Sequence, residues 1–357
     1  MSYPAPTAGI PPAGRWHLAS LILGAFNLFK KALVAALFLA PIASSEARDG
    51  ISTGGDTTAD VTGDGLDDFI YFESDRTLKV AASNGTTFTY KTTWSSTAFN
   101  EAYGAWFADV TGDGRADAIG IQEYNDGLAI RVIVRRSNGS SFLPEEEWYN
   151  ENGWSGWTRF DFKDVTGDGK ADFILNRNVP GGEGINVAIS NGNGFNTRTA
   201  WTLDAFVPDR HIYYEDVTGD GKADAIAHNV NSILVRPSTG TSFGPESTWL
   251  SVAFNGTKGV WVSDVTGDGR ADFIVENADG VQVRASSGTS FLGSGYWTAP
   301  LGGNLPTWIA RVNNDNRSDI IYRYYLLQNC IPQPSCNAWG RVRHSDGATF
   351  LSTVHWY

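Results

Sequence analysis

Three aspartates four residues apart, with glycines between them, recur five times in this chain and carry its clearest chemistry. The string is Asp-Val-Thr-Gly-Asp-Gly-x-x-Asp. Its acidic and threonine members are Asp60, Thr62, Asp64 and Asp68; Asp109, Thr111, Asp113 and Asp117; and Asp164, Thr166, Asp168 and Asp172. Two further copies supply Asp216, Thr218, Asp220 and Asp224, then Asp264, Thr266, Asp268 and Asp272. Carboxylates gathered in one short loop repel each other unless a cation sits among them. Calcium takes six to eight oxygens from carboxylates, carbonyls and water, so the pattern predicts about five calcium sites. In each, the carboxylates would be joined by the threonine hydroxyl or main-chain oxygen. The carbonyl of the seventh residue (Leu66, Arg115, Lys170, Lys222 or Arg270) would complete the set. The competing reading is an Asp/Gly-rich turn in which both residue types serve conformation alone. A sixth, eroded copy from Arg311 to Asp319 keeps only Asp315 and Asp319. Arg311 replaces the first aspartate there, and its own charge would take the place of an ion.

Catalytic chemistry is not legible. His17 lies before the repeats, while His211, His228, His344 and His355 hold unrelated repeat positions. No Gly-x-Ser-x-Gly, His-Glu-x-x-His or phosphate-binding glycine pattern occurs. Glu145, Glu146 and Glu147 read as a solvated hairpin rather than a catalytic cluster, so the chain is expected not to be an enzyme. Binding has more support, because 13 Trp and 13 Tyr are many for 357 residues. Trp94, Trp148, Trp201, Trp249, Trp297 and Trp356 recur at one repeat position, as packing between repeated units would require. Trp106, Trp261 and Trp308, with Tyr213, recur three residues before the loop motif and read the same way. Aromatics outside the pattern are the ligand candidates: Trp154, Trp157, Tyr103, Tyr149, Tyr296 and Trp339. They fall in connecting segments, where binding function concentrates.

The elements around these residues are short strands. Phe69-Ile70-Tyr71 and Phe273-Ile274-Val275 follow their loops, and Ala105-Trp106-Phe107-Ala108 precedes one. A second motif follows each loop, as in Asn84-Gly-Thr-Thr-Phe88 then Trp94, or Asn138-Gly-Ser-Ser-Phe142 then Trp148. Asn-Gly between apolar runs is a strong hairpin signal. Each unit of about fifty residues thus holds four strands, the make-up of a β-propeller blade. The expected fold is all-β: a propeller of six four-stranded antiparallel blades; the alternative, a seventh blade made from irregular segments, has no motif to support it. Repeats are expected at about 55–100, 101–153, 154–206, 207–255, 256–302 and 303–357. With these residues the chain resembles the FG-GAP/VCBS repeats, which form the head of integrin α-subunits and the propellers of several secreted lectins. The resemblance covers about residues 55–357. It implies calcium in the five intact loops, and glycan binding or, alternatively, an adhesion module that binds a protein.

Residues 1–47 stand apart. Lys30 and Lys31 precede the apolar run Ala32–Ala40, then Pro41 and small residues to Ala47. That succession predicts a secretory signal; the runner-up, a retained anchor over Leu18–Leu39, would bury two lysines in hydrocarbon. A secreted or cell-surface protein is expected, not membrane-spanning once the signal is cleaved. Cys330 and Cys336, the only cysteines, would then form a local disulfide. The formal charge of −12 argues against nucleic acid as a partner. Glycans or a glycoconjugate surface are the expected partners, with a protein partner as the alternative.

Overall fold

Short runs of Val, Ile, Phe, Tyr and Trp bounded by Asp, Asn, Ser and Gly are the composition of strands and their turns. The computed structural model describes residues 55–99, 104–124, 129–152, 157–180, 182–202, 204–206, 208–293, 295–301, 306–323 and 340–356. They form six sheets, each of four consecutive antiparallel strands. Blade 1 is β1 to β4 (Asp56–Ala59, Asp68–Phe72, Leu78–Ala81, Thr92–Ser95). Blade 2 is β5 to β8 (Ala105–Ala108, Asp117–Tyr124, Ala129–Arg135, Glu146–Asn152). Blade 3 is β9 to β12 (Trp157–Lys163, Asp172–Val179, Gly182–Ala188, Thr199–Ala200). Blade 4 is β13 to β16 (His211–Glu215, Asp224–His228, Ile233–Arg236, Ser247–Leu250). Blade 5 is β17 to β20 (Gly259–Ser263, Asp272–Asn277, Gly280–Arg284, Gly295–Thr298). Blade 6 is β21 to β24 (Thr307–Ala310, Asp319–Arg323, Gly340–Arg343, Val354–His355). This is the expected six-bladed all-β propeller. Among the described residues there is no helix, and so none long and apolar enough to cross a membrane.

The core lies between blades rather than within one, because each sheet is apolar on both faces. One cluster joins Ile70, Leu78 and Trp94 of blade 1 to Ala118, Ile133 and Phe142 of blade 2. Five more join the remaining neighbours, the last uniting Phe69 and Phe88 of blade 1 with Trp308, Ile321 and Trp356 of blade 6. The Asn-Gly motif supplies the repeating contact. Trp94, on the outer strand of blade 1, meets Phe142 of blade 2 edge-on at 5.4 Å, and Trp148 meets Phe195 of blade 3 at 5.7 Å. Phe142 and Phe195 also donate their N–H groups to the carbonyls of those tryptophans at 3.0 Å. Burying each such ring contributes about 1.5–3 kcal/mol, which only a stacked neighbour can provide. The six repeating tryptophans are therefore packing residues, as the spacing predicts. Trp106 and Trp308 pack across joints too, against Phe162 at 5.7 Å and Phe69 at 4.9 Å.

The ring closes without strand exchange, since blades 1 and 6 each consist of four consecutive strands. Asp67 N–H donates to Arg311 O at 2.6 Å, and Ser83 Oγ donates to Val312 O at 2.8 Å. Phe88 packs on Trp356 at 5.1 Å. The closing joint thus shares its two loop hydrogen bonds and its ring contact with the internal ones.

Candidate binding cleft and the aspartate loops

Each aspartate loop connects the first and second strands of its blade. In blade 2, Asp109 accepts the Gly112 and Gly114 N–H groups, one on each oxygen, both at 2.7 Å. Those glycines have φ of 80° and 83°, a conformation that costs a residue with a Cβ about 1–2 kcal/mol. Asp113 accepts the Arg115 N–H at 3.0 Å and pairs with the Arg115 guanidinium. Asp117, the ninth member, opens β6 and is fully buried. Its Oδ1 accepts the Ser137 N–H at 2.8 Å and its Oδ2 the Val110 N–H at 3.3 Å. In blades 1, 4 and 5 the threonine N–H joins the valine N–H on the same oxygen. Burial pushes these ninth-position carboxyls up, Asp68, Asp117 and Asp172 to about 7, and Asp224 and Asp272 to about 6. The backbone N–H groups act against that rise by favouring the charged form.

A calcium cage needs the three carboxylates turned toward one point. Here the ninth aspartate is withdrawn into the blade with both oxygens on backbone amides, and the first has both on the glycine amides. No three His, Cys, Asp or Glu side chains converge among the described residues. The threonine hydroxyls of blades 1 to 5 turn to the first aspartate, at 3.1–3.3 Å. In this arrangement the loops do not fit the calcium cage that their spacing predicts. The eroded sixth loop is held otherwise: Arg311 Nη2 donates to Asn316 Oδ1 at 2.6 Å, and His344 Nδ1 stands 3.0 Å from Asp319 Oδ2.

The loops also reach the next blade. Ala116 N–H donates to Asp60 O at 2.7 Å, and Ser137 Oγ donates to Val61 O at 2.6 Å. The same two bonds recur at every following joint, with Ser318 in the alanine's place at the blade 5–6 joint. One string of nine residues thus ties its own blade together and fastens it to a neighbour.

A cleft of about 530 Å³ opens at the rim between blades 2 and 3. The outer strand β8 forms one wall, and the segment from Phe195 to Arg198 forms the other. Trp148 and Tyr149 are buried at its base; Tyr149 packs edge-on against Phe173 at 5.5 Å. Tyr149 donates its hydroxyl to Glu151 Oε2 at 2.7 Å, and Arg198 grips the same carboxylate with Nε and Nη2 at 2.7–3.0 Å. Burial alone would raise Glu151, but the bonds from Arg198 and Tyr149 prevail and hold it below the usual glutamate value. Burial, and then the Glu151 carboxylate, push the Tyr149 hydroxyl up, so it stays a donor. Asn150 Nδ2 donates to Glu147 Oε1 at 3.1 Å, and Arg131 Nη1 lies 3.6 Å from Glu147 Oε2. The result is an aromatic base under a rim of fixed donors and acceptors.

Residues 60–120 match the family model of the FG-GAP-like repeat. The matched span runs from the first aspartate loop into β6, so one stretch of the propeller is similar to an FG-GAP-like repeat. Among solved structures it is similar to a lectin of Agrocybe aegerita described for specific recognition of non-reducing terminal N-acetylglucosamine. The TM-score is 0.58 at 21% identity, over 84% of this chain and 79% of that one. It is also similar to the Photorhabdus luminescens Tc holotoxin pore, with a TM-score of 0.57 at 15% identity, over 81% of this chain and 14% of that one. At such identities the likeness is one of fold. No curated protein matches the sequence.

Of the six ligand candidates, the propeller places Tyr149 in the cleft. Tyr296 stands on β20 of blade 5, 56% exposed, its hydroxyl on Asp279. Trp157 opens β9, while Trp154, Tyr103 and Trp339 lie outside the described residues, as do Cys330, Cys336 and residues 1–47. Glu145 and Glu147 are paired with Arg135 and Arg131 of β7 and Glu146 with Arg136 just beyond it, and Glu146 and Glu147 belong to β8 rather than to a hairpin turn. Asn150, Glu151 and Arg198 escape the sequence reading, and Glu147 figures there only as part of a solvated hairpin. No periodicity marks them, because a register shift opposite this part of β8, between Val132 and Ile133, leaves the adjacent Trp148 and Tyr149 both buried.

Proposed function

We propose that this propeller is an exported glycan-binding protein and that the cleft between blades 2 and 3 takes a neutral sugar. The observation that carries the reading is the chemistry of the cleft walls: Trp148 and Tyr149 beneath carboxylate, amide and guanidinium groups drawn from two blades. Ligand sites pair apolar and aromatic surface with a few fixed polar groups, and a sugar offers both a C–H face and a ring of hydroxyls. Arg198 on Glu151 and Arg131 beside Glu147 balance the charges of the rim, which favours a neutral ligand over an ionised one. The fold shared with the Agrocybe aegerita lectin makes terminal N-acetylglucosamine the first sugar to test. The Lys30–Ala47 succession supports export. The role is binding, without a chemical step.

A glycan array followed by calorimetry tests this. The wild type should bind at least one neutral glycan. Asn150→Ala combined with Thr197→Val should weaken it about tenfold, the equivalent of about 1.4 kcal/mol, while melting like the wild type. Absence of any bound glycan at millimolar concentration would sink the lectin reading. Unchanged affinity in the double variant would remove the cleft from it.

A further inference from the structure

The seventh residue of the aspartate loop is basic in five of the six blades, and its side chain has a place that the repeat pattern does not reveal. We propose that in blades 2 to 5 this lysine or arginine is the built-in counter-ion of the loop, so that those loops, and the joints they make, hold without a divalent cation. Lys170 Nζ lies 2.7 Å from Asp168 Oδ2, and Lys222 Nζ lies 2.8 Å from Asp220 Oδ2. Arg115 and Arg270 pair in the same way with Asp113 and Asp268. Both arginines also donate Nε to a serine carbonyl of their own blade's Asn-Gly-type turn, Ser137 O at 3.1 Å and Ser286 O at 3.2 Å. One cation therefore spans the two turns of its blade.

The stem of the same side chain crosses the joint. A Cβ added at Gly112 of blade 2 would stand 2.8 Å from Cγ of Lys170 of blade 3, and one at Gly167 of blade 3 would stand 2.9 Å from Cγ of Lys222 of blade 4. The fourth loop position has to be glycine for the neighbour's basic stem to lie over it. With the ninth aspartate turned inward and the first on the glycine amides, the fifth is the carboxylate that faces outward, and the ammonium or guanidinium already holds it. Calcium entering there would have to displace that group and would still find too few of the six to eight oxygens it needs. An exposed ion pair is worth little alone; its role here is to neutralise the loop and fix a stem across the joint.

Blade 1 marks the boundary of the inference. Leu66 occupies its seventh position and Asp67 its eighth, so its loop contains no basic side chain. Equilibrium dialysis of the full chain against calcium, followed by metal analysis, reads the difference. The expected result is at most one calcium per chain; two or more would overturn the assignment. Thermal unfolding of Lys170→Met/Lys222→Met in chelator gives a second reading, because methionine keeps the stem and removes the charge. The variant should melt below the wild type at low salt, with the gap closing as salt is added. Equal melting temperatures at low salt would show that these charges do not hold the loops. The stoichiometry of the wild type decides the matter even where the variant does not fold.

Discussion

His228 is 2% exposed at the end of β14, with Nε2 3.1 Å from Phe254 O and 3.0 Å from Asn255 Oδ1. Both are acceptors, so the proton sits on Nε2. Burial, the largest cause, lowers its pKa from 6.5 to about 4. The folded value lies below the unfolded one, so between those two pH values the unfolded chain binds a proton that the folded chain refuses. Stability from the neutral ring is complete above the window and is lost as pH falls through it, by up to about 3 kcal/mol. Denaturant unfolding between pH 4 and 6.5 should show a steeper pH dependence for the wild type than for His228→Gln. Equal slopes would refute the buried neutral ring. At this scale the sequence reveals little: His228 and His355 look alike as letters, yet one is buried and the other is exposed. The aspartates pose the same difficulty, because three identical residues in one motif have three different surroundings.

The aspartate loop is the element whose residues divide most clearly by role. Asp117 is fully buried and serves two backbone N–H groups that lie 20 residues and seven residues away. Asp113 stands at the surface beside Arg115. Asp117→Ala leaves the Ser137 and Val110 amides without an acceptor and should cost about 2–4 kcal/mol. Asp113→Ala removes an exposed pair and should cost about 0.5 kcal/mol. Chemical denaturation of the two variants checks the contrast, and similar losses would contradict it. The four strands of each blade are legible in sequence because apolar runs, Asp-Gly loops and Asn-Gly turns alternate at a fixed interval. The cleft is not, because it depends on how far β8 extends and on where Arg198 of the next blade lands. Neither is local in the chain, so no periodicity reports it.

At the scale of the ring, the joint between blades 6 and 1 differs from the five internal ones at several positions, three of which bear on how the loops meet. Arg311 replaces the aspartate that gathers the loop amides, Asn314 replaces the glycine that lies under the neighbour's stem, and Leu66 replaces the basic residue that covers it. The last two changes match each other, since Asn314 Nδ2 and Leu66 Cδ1 both lie 3.8 Å from where a Cβ at Gly85 would be. A bulkier fourth position is met by a shorter seventh, which gives the closing joint a shape the internal joints do not share. It retains the Asp67–Arg311 and Ser83–Val312 hydrogen bonds and the Phe88–Trp356 contact, but not the ion pair and stem. A ring opens where one joint is weaker than the rest, and local opening of this kind sets amide exchange rates. The Asp67 N–H, bonded to Arg311 O, should therefore exchange at least about tenfold faster than the equivalent Ala171 and Ala223 N–H groups, a difference of about 1.4 kcal/mol in opening. Native-state hydrogen exchange measures all three. Equal protection would mean that the seam is as strong as the repeats, and that Asn314 and Leu66 restore at this joint what the basic stems provide elsewhere.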